Sequence, residues 1–173
     1  MLWDCAERND VVRLWADQLA TTPRAWLRRH GLAALLGALP GNRRPRVTIL
    51  VEGAKHARRL ASLLPHWDGC DLSSVGSGAA PAEALVGTPS NGVITTIMYK
   101  YRFGFSADIL VRATGHRGRL GFDPQKAGGD AAPGPTLLKD IADETDARGR
   151  ADTEVRRREY AEQGLSVLTV ATP

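Results

Sequence analysis

The sequence predicts an α/β fold, a parallel sheet of about five or six strands with helices on both faces. Two observations carry this. Short β-branched apolar runs, Val47-Thr48-Ile49-Leu50-Val51 above all, lack the in–out alternation of a half-exposed strand, so both their faces need cover. Between these runs lie stretches with apolar residues at helical spacing, and strands alternating with helices imply crossovers between parallel neighbours. The chain has 173 residues, which suits one domain with a substantial core.

Each element has its own signal. Asp10 is the expected N-cap of an amphipathic helix over 10–20, in which Val11, Leu14, Trp15 and Leu19 recur at helical spacing. Thr22-Pro23 opens a second helix that carries Trp26, Leu27, Leu32, Leu35 and Leu36 and ends at Pro40-Gly41. Arg24, Arg28 and Arg29 line its outer face and read as solvated. The strand 47–51 closes at Glu52-Gly53. A helix over 53–64 follows, with Ala54, Ala57, Leu60, Ala61 and Leu64 on one stripe and Pro65 as its stop. A weak strand is expected near 67–72 and a short helix near 80–87. Val93-Ile94-Thr95-Thr96-Ile97 and Asp108-Ile109-Leu110-Val111-Arg112 are further strands.

Residues 123–135, rich in Gly, Pro and Ala, read as a flexible loop. A strand within 136–142, a charged helix over 152–163 and a last strand at 165–170 complete the chain. In the charged helix Arg156, Arg157 and Arg158 read as a solvated face. The expected organisation is therefore a helical N-terminal segment (1–45), a core (46–122), a loop (123–135) and a closing strand, helix and strand of the same domain (136–173).

Composition removes several classes of function. Apolar residues make up 43% and charged residues 24%, which is globular and not disordered. Lys and Arg number 23 against 19 Asp and Glu, a net +4 that permits a polyanionic partner without requiring one. Residues 1–50 carry eight Arg against four acids, whereas 136–173 carry six basic residues against eight acidic. A phosphate-facing surface is thus expected outside the last quarter. Cys5 and Cys70 are too few for a disulfide scaffold or a four-cysteine zinc site, and the four histidines show no ligand spacing, so no metal site is expected. No run of 18 uncharged apolar residues is present, and the start lacks a signal-peptide layout; a soluble, cytoplasmic protein with no membrane contact is expected. The phosphate loop Gly-x-x-x-x-Gly-Lys-[Ser/Thr], the dinucleotide Gly-x-Gly-x-x-Gly after a strand and the Gly-x-Ser-x-Gly elbow are all missing.

What the chain does carry is an ordered set of pieces. Asn9-Asp10-Val11-Val12-Arg13-Leu14 forms part of the first helix. Val47 to Pro65 is a strand, a turn and a helix with a His56-Ala57 pair. Val93 to Ile97, then Gly104-Phe105-Ser106-Ala107-Asp108 and the strand to Ala113, come next, and Leu137 to Asp143 and Arg156 to Tyr160 close the series. In this order the pieces resemble the second, RecA-like lobe of superfamily 2 DEAD/DEAH-type helicases, with Val47–Pro65 similar to motif IV and the Val93–Ala113 region to motif V. The resemblance implies a P-loop NTPase-like lobe. It implies that Gly53, Thr95 and Thr96 face the backbone of single-stranded DNA or RNA, and that Gly104 and Ser106 lie beside the nucleotide. Relatives often carry an acid at the Ser106 position. The usual Gln-x-x-Gly-Arg-x-x-Arg of motif VI does not occur; Thr114-Gly115-His116-Arg117-Gly118-Arg119 contains a Gly-Arg pair, so Arg117 and Arg119 are the candidates for an arginine finger. In the family ATP and Mg²⁺ sit between two lobes, and the first lobe, in cis or in trans, brings the phosphate loop and the acid for Mg²⁺. This chain alone is therefore not expected to hydrolyse ATP. The alternative is a non-catalytic nucleic-acid-binding or protein-interaction module derived from such a lobe. Tyr99-Lys100-Tyr101-Arg102-Phe103 offers either base stacking or core packing.

Overall fold

A computed structural model of the chain describes residues 5–69, 91–95, 107–113, 137–142 and 146–164. Helix α1 spans Ala6–Thr21, α2 Pro23–Arg29 and a 3₁₀ helix Ala33–Ala38. Then come β1 (Val47–Val51), α3 (Ala54–Leu63), β2 (Asp68–Gly69), β3 (Gly92–Thr95), β4 (Ile109–Arg112), β5 (Leu137–Asp140) and α4 (Ala147–Glu162). The five strands form one sheet in the order β2-β3-β1-β4-β5, and every pair is parallel. The architecture is α/β, and the described parts of the runs expected at 47–51, 93–97 and 108–112 are parallel neighbours around a central β1.

Register assigns the two faces. Val47 pairs with Ile109, and Ile49 lies between Val111 and Val93; these residues and Val51 join the apolar core with Val12, Leu19, Leu27, Ala57 and Leu60 from α1, α2 and α3. Lys139 lies on this same face, its Nζ 4.1 Å from the Trp15 ring and 5.9 Å from the Trp26 ring. Burial holds the Lys139 ammonium below its usual pKa, and only the neighbouring Asp140 charge opposes this. Successive residues of a strand point to opposite faces. Leu50, Arg112 and Asp140, which are register partners, therefore share the other face, and α4 lies there: Tyr160 and Arg156 reach Arg112 and Asp140. Helices cover both faces, as the unalternating strands require.

Several boundaries move from their expected places. α1 begins at Ala6 and not at Asp10, because Asn9 is buried on its inner face and its N–H already bonds Cys5 O at 3.1 Å. Asp10 pairs instead with Arg13 on the surface at 3.6 Å. The single helix expected from Thr22 to Pro40 breaks at Gly31, whose φ of 71° is the left-handed conformation glycine tolerates best, and resumes as a 3₁₀ turn. α4 starts five residues before the expected 152, since Asp146 caps it by accepting from Gly149 N–H at 2.7 Å. The expected helix near 80–87, the loop 123–135 and the last strand 165–170 lie outside the described residues.

Candidate functional site

After β1 the chain moves out through α3 to β2 and returns to β3. From β4 it moves to β5, on the opposite side of β1. The chain thus leaves the carboxyl ends of β1 and β4 in opposite directions, and the crevice outside such a pair is the usual ligand position in open α/β sheets. Gly53 stands on one side of that crevice and Arg112, the last residue of β4, on the other.

Gly53 is the N-cap of α3, with φ −142° and ψ 160°. This is extended backbone that any residue adopts, and a Cβ placed there would meet nothing within 4 Å. Neither conformation nor crowding inside the described fold calls for glycine. The cap residue has no side chain to close the helix end, and the positive end of the α3 dipole lies here. Below it, His56 Nε2 stands 3.1 Å from Asn9 Oδ1, both residues buried, which ties the first turn of α3 to the first turn of α1. The two sequence stretches that hold Asn9 and His56 are thereby brought into contact at the carboxyl end of β1.

Thr95 ends β3, opposite Val51, at the expected edge of the sheet. It is only 7% exposed, however, so the open hydroxyl anticipated for a phosphate contact is not what the fold presents. Thr96, Gly104, Ser106, Arg117 and Arg119 lie outside the described residues, as does the aromatic run 99–103.

On the β4 side a polar network replaces apolar packing. Arg112 Nη1 donates to Tyr160 Oη at 2.8 Å, and that hydroxyl donates to Asp140 Oδ2 at 2.7 Å. Arg156 Nε reaches the same Asp140 oxygen at 2.8 Å, while its Nη2 donates to Ile141 O at 2.9 Å and to Thr153 Oγ1 at 3.3 Å. Burial first, and then the Asp140 charge, push the Tyr160 phenol above its ordinary pKa, so it stays a proton donor at neutral pH. Arg156 is 1% exposed. The solvated reading of Arg156 is therefore corrected: Arg158 faces solvent, Arg157 is half-buried, but Arg156 is among the most deeply buried side chains of the fold.

Sequence reasoning missed this network. Its one visible sign is that Arg112 and Asp140 each end a short, mainly apolar strand, at paired positions. Among the described residues no group of three or more His, Cys, Asp or Glu is placed to hold a metal ion, and no helix is long and apolar enough to cross a membrane. No family model, curated protein or solved structure matches the chain.

Proposed function

We propose that the chain serves as the second lobe of a superfamily 2 helicase-type ATPase, binding single-stranded DNA or RNA and completing an ATP site with a first lobe. The observation that supports this best is Gly53, a glycine that the local fold does not need, at the N-terminus of α3 and beside the β1–β4 crevice. A phosphodiester backbone needs close approach to the positive end of the helix, and a side chain at residue 53 would stand in its way. The RecA-like assignment of the sheet belongs to the same proposal, as does the role of Thr96.

The positive end of the α3 dipole at this edge is chemically suited to phosphate oxygens and not to a metal ion. ATP, when bound, supplies the phosphoryl group whose transfer drives the motor. Gly104 and Ser106 would hold its near side, and Arg117 or Arg119 would place positive charge toward the transferring phosphoryl group. The phosphate loop and the Mg²⁺-binding acid come from the first lobe. Ser106 and the departure at motif VI favour a second reading, a binding module without ATPase activity.

Two measurements test the proposal. The isolated chain should show no ATP hydrolysis above background and should stimulate hydrolysis when mixed with a matching first lobe. Arg117→Ala or Arg119→Ala should remove that stimulation, since an arginine finger is worth about 10³–10⁵ in rate. Stimulation that survives both substitutions sinks the finger assignment, and no stimulation with intact binding favours the module. Separately, Gly53→Val should weaken binding of a fluorescent oligonucleotide while leaving thermal unfolding unchanged.

A further inference from the structure

The opposite edge of the sheet, where β1 begins, carries a second charged surface. Residues 22–46 contain six arginines, Arg24, Arg28, Arg29, Arg43, Arg44 and Arg46, and no acid. Arg24, Arg43 and Arg44 line one cleft of about 340 Å³ between the start of α2 and the segment leading into β1. Prolines and Leu39 make up much of the rest of its wall, so the cleft has a stiff frame.

The charges are held open. Asp108 is the acid that answers this cluster: it accepts from Arg43 Nη1 and Nη2 at 2.6 and 2.8 Å and from Arg46 N–H at 2.7 Å, with Arg46 Nε at 3.7 Å. Among the described residues, one carboxylate against Arg24, Arg43, Arg44 and Arg46 leaves a local excess of three positive charges. Arg43 keeps 44% of its side chain exposed despite its pairing. Arg24 is exposed and donates to Pro40 O at 3.3 Å, and the exposed Arg44 side chain has no partner among the described residues. Arg24 and Arg28 stand one turn apart on α2, so like charges face each other, a repulsion that a bound polyanion would relieve. All six are arginine and none is lysine, and the planar guanidinium fork matches a phosphate's oxygens two at a time.

We propose that the Arg24–Arg43–Arg44 cleft is a second contact for nucleic-acid phosphates, separate from the Gly53 edge and at the other end of the strands. The choice of nucleic acid among polyanions rests on the functional reading above; the site itself rests on the arginines. It gives the lobe a track on which strand beyond the Gly53 edge is held through its backbone alone, independent of sequence.

The test is fluorescence anisotropy of the full chain with a labelled oligothymidylate, titrated at several salt concentrations. Arg24→Gln/Arg44→Gln removes two cleft charges and spares the Arg43–Asp108 pairing that supports the fold. Binding at low salt should fall on the order of tenfold, and the slope of log affinity against log salt should flatten by about 0.7 for each phosphate contact removed. Unchanged affinity and slope would overturn the proposal. Unfolding temperature is measured alongside; if the double variant fails to fold, Arg44→Gln alone, at an exposed side chain without a polar partner among the described residues, gives the same readout at half the flattening. Gly53→Val runs in parallel: weakening by Gly53→Val but not by the arginine variants retires this site and keeps the earlier reading, and the reverse retires the Gly53 reading and keeps this one. Displacement of the oligonucleotide by polyglutamate at equal charge concentration would assign the cleft to an acidic protein and overturn the nucleic-acid choice. No binding by the wild-type chain at low salt would overturn both.

Discussion

Helix α4 and the segment from Arg24 to Arg46 are the two arginine-dense parts of the described fold, and they use the residue in opposite ways. In α4 the buried residues are Asp152, Thr153, Arg156 and Tyr160, and Arg156 is taken up by Asp140, Ile141 O and Thr153. A helix with almost no apolar inner stripe is thus docked by directed bonds. Around the cleft, among the described residues, the arginines outnumber the acid that answers them, and most of their charge faces water. An arginine's role here is set by the acid its fold places beside it, and not by the density of arginines around it.

Breaking the α4 side should give the largest effect. Arg156→Ala leaves the Asp140 carboxylate in the network without its closest cation, and removing one partner of a buried pair costs about 3–5 kcal/mol. Urea unfolding measures it, and a loss below about 1 kcal/mol would return Arg156 to the ordinary surface class. Tyr160→Phe removes the hydroxyl that links Arg112 to Asp140 and should cost about 1–3 kcal/mol. It carries a pH signature as well. The folded phenol's pKa is raised, so its contribution is fully present below the unfolded value near 10 and is lost as pH climbs from there toward the folded value. Wild-type stability should therefore drop above about pH 10, and part of that drop should vanish in Tyr160→Phe.

On the cleft side the effects are smaller. Burial raises the Asp108 carboxyl, but the hydrogen bonds from Arg43 and from Arg46 N–H outweigh it and hold its pKa below the usual range. Its stabilisation is present above the unfolded value of about 4 and is lost as pH falls through the lowered one. Asp108→Asn should cost only about 1 kcal/mol, since Arg43 is part-exposed and screened, and acid titration of both proteins should converge at low pH. The smallest effect belongs to Arg157→Ala, next door to Arg156. Its bond to Glu154 at 2.6 Å is an exposed i,i+3 pair worth about 0.3–0.5 kcal/mol. Equal losses at Arg156 and Arg157 would erase the contrast.

Legibility in the sequence followed the same division. The β1 and β4 runs were readable because apolar burial leaves a local mark, and their parallel pairing followed from that mark. The docking of α4 was not, because the acid that makes Arg156 a buried residue lies sixteen positions earlier, at Asp140, and local periodicity carries no information about it. The break at Gly31 was signalled by the glycine itself but outweighed by the leucines beyond it. At the site, the position of Gly53 was legible from its strand–turn–helix setting, whereas the burial of Thr95 depends on what covers the end of β3.

The placement of β1 in the middle of the sheet has a consequence for how the chain acquires its structure. Val47 N–H bonds Asn91 Oδ1, 44 residues away, and Arg46 N–H bonds Asp108 Oδ2, 62 residues away. A strand whose two neighbours both come this late finds no hairpin to nucleate on. During synthesis Val47–Val51 leaves the ribosome with both edges unpaired and waits several seconds, at about 5–20 residues per second, for β3 and β4. Its cover in that interval comes from α1 and α2, which are already made and which bury the same apolar face. The helices that precede the sheet act as its temporary escort, and a chain shortened by them should form inclusion bodies.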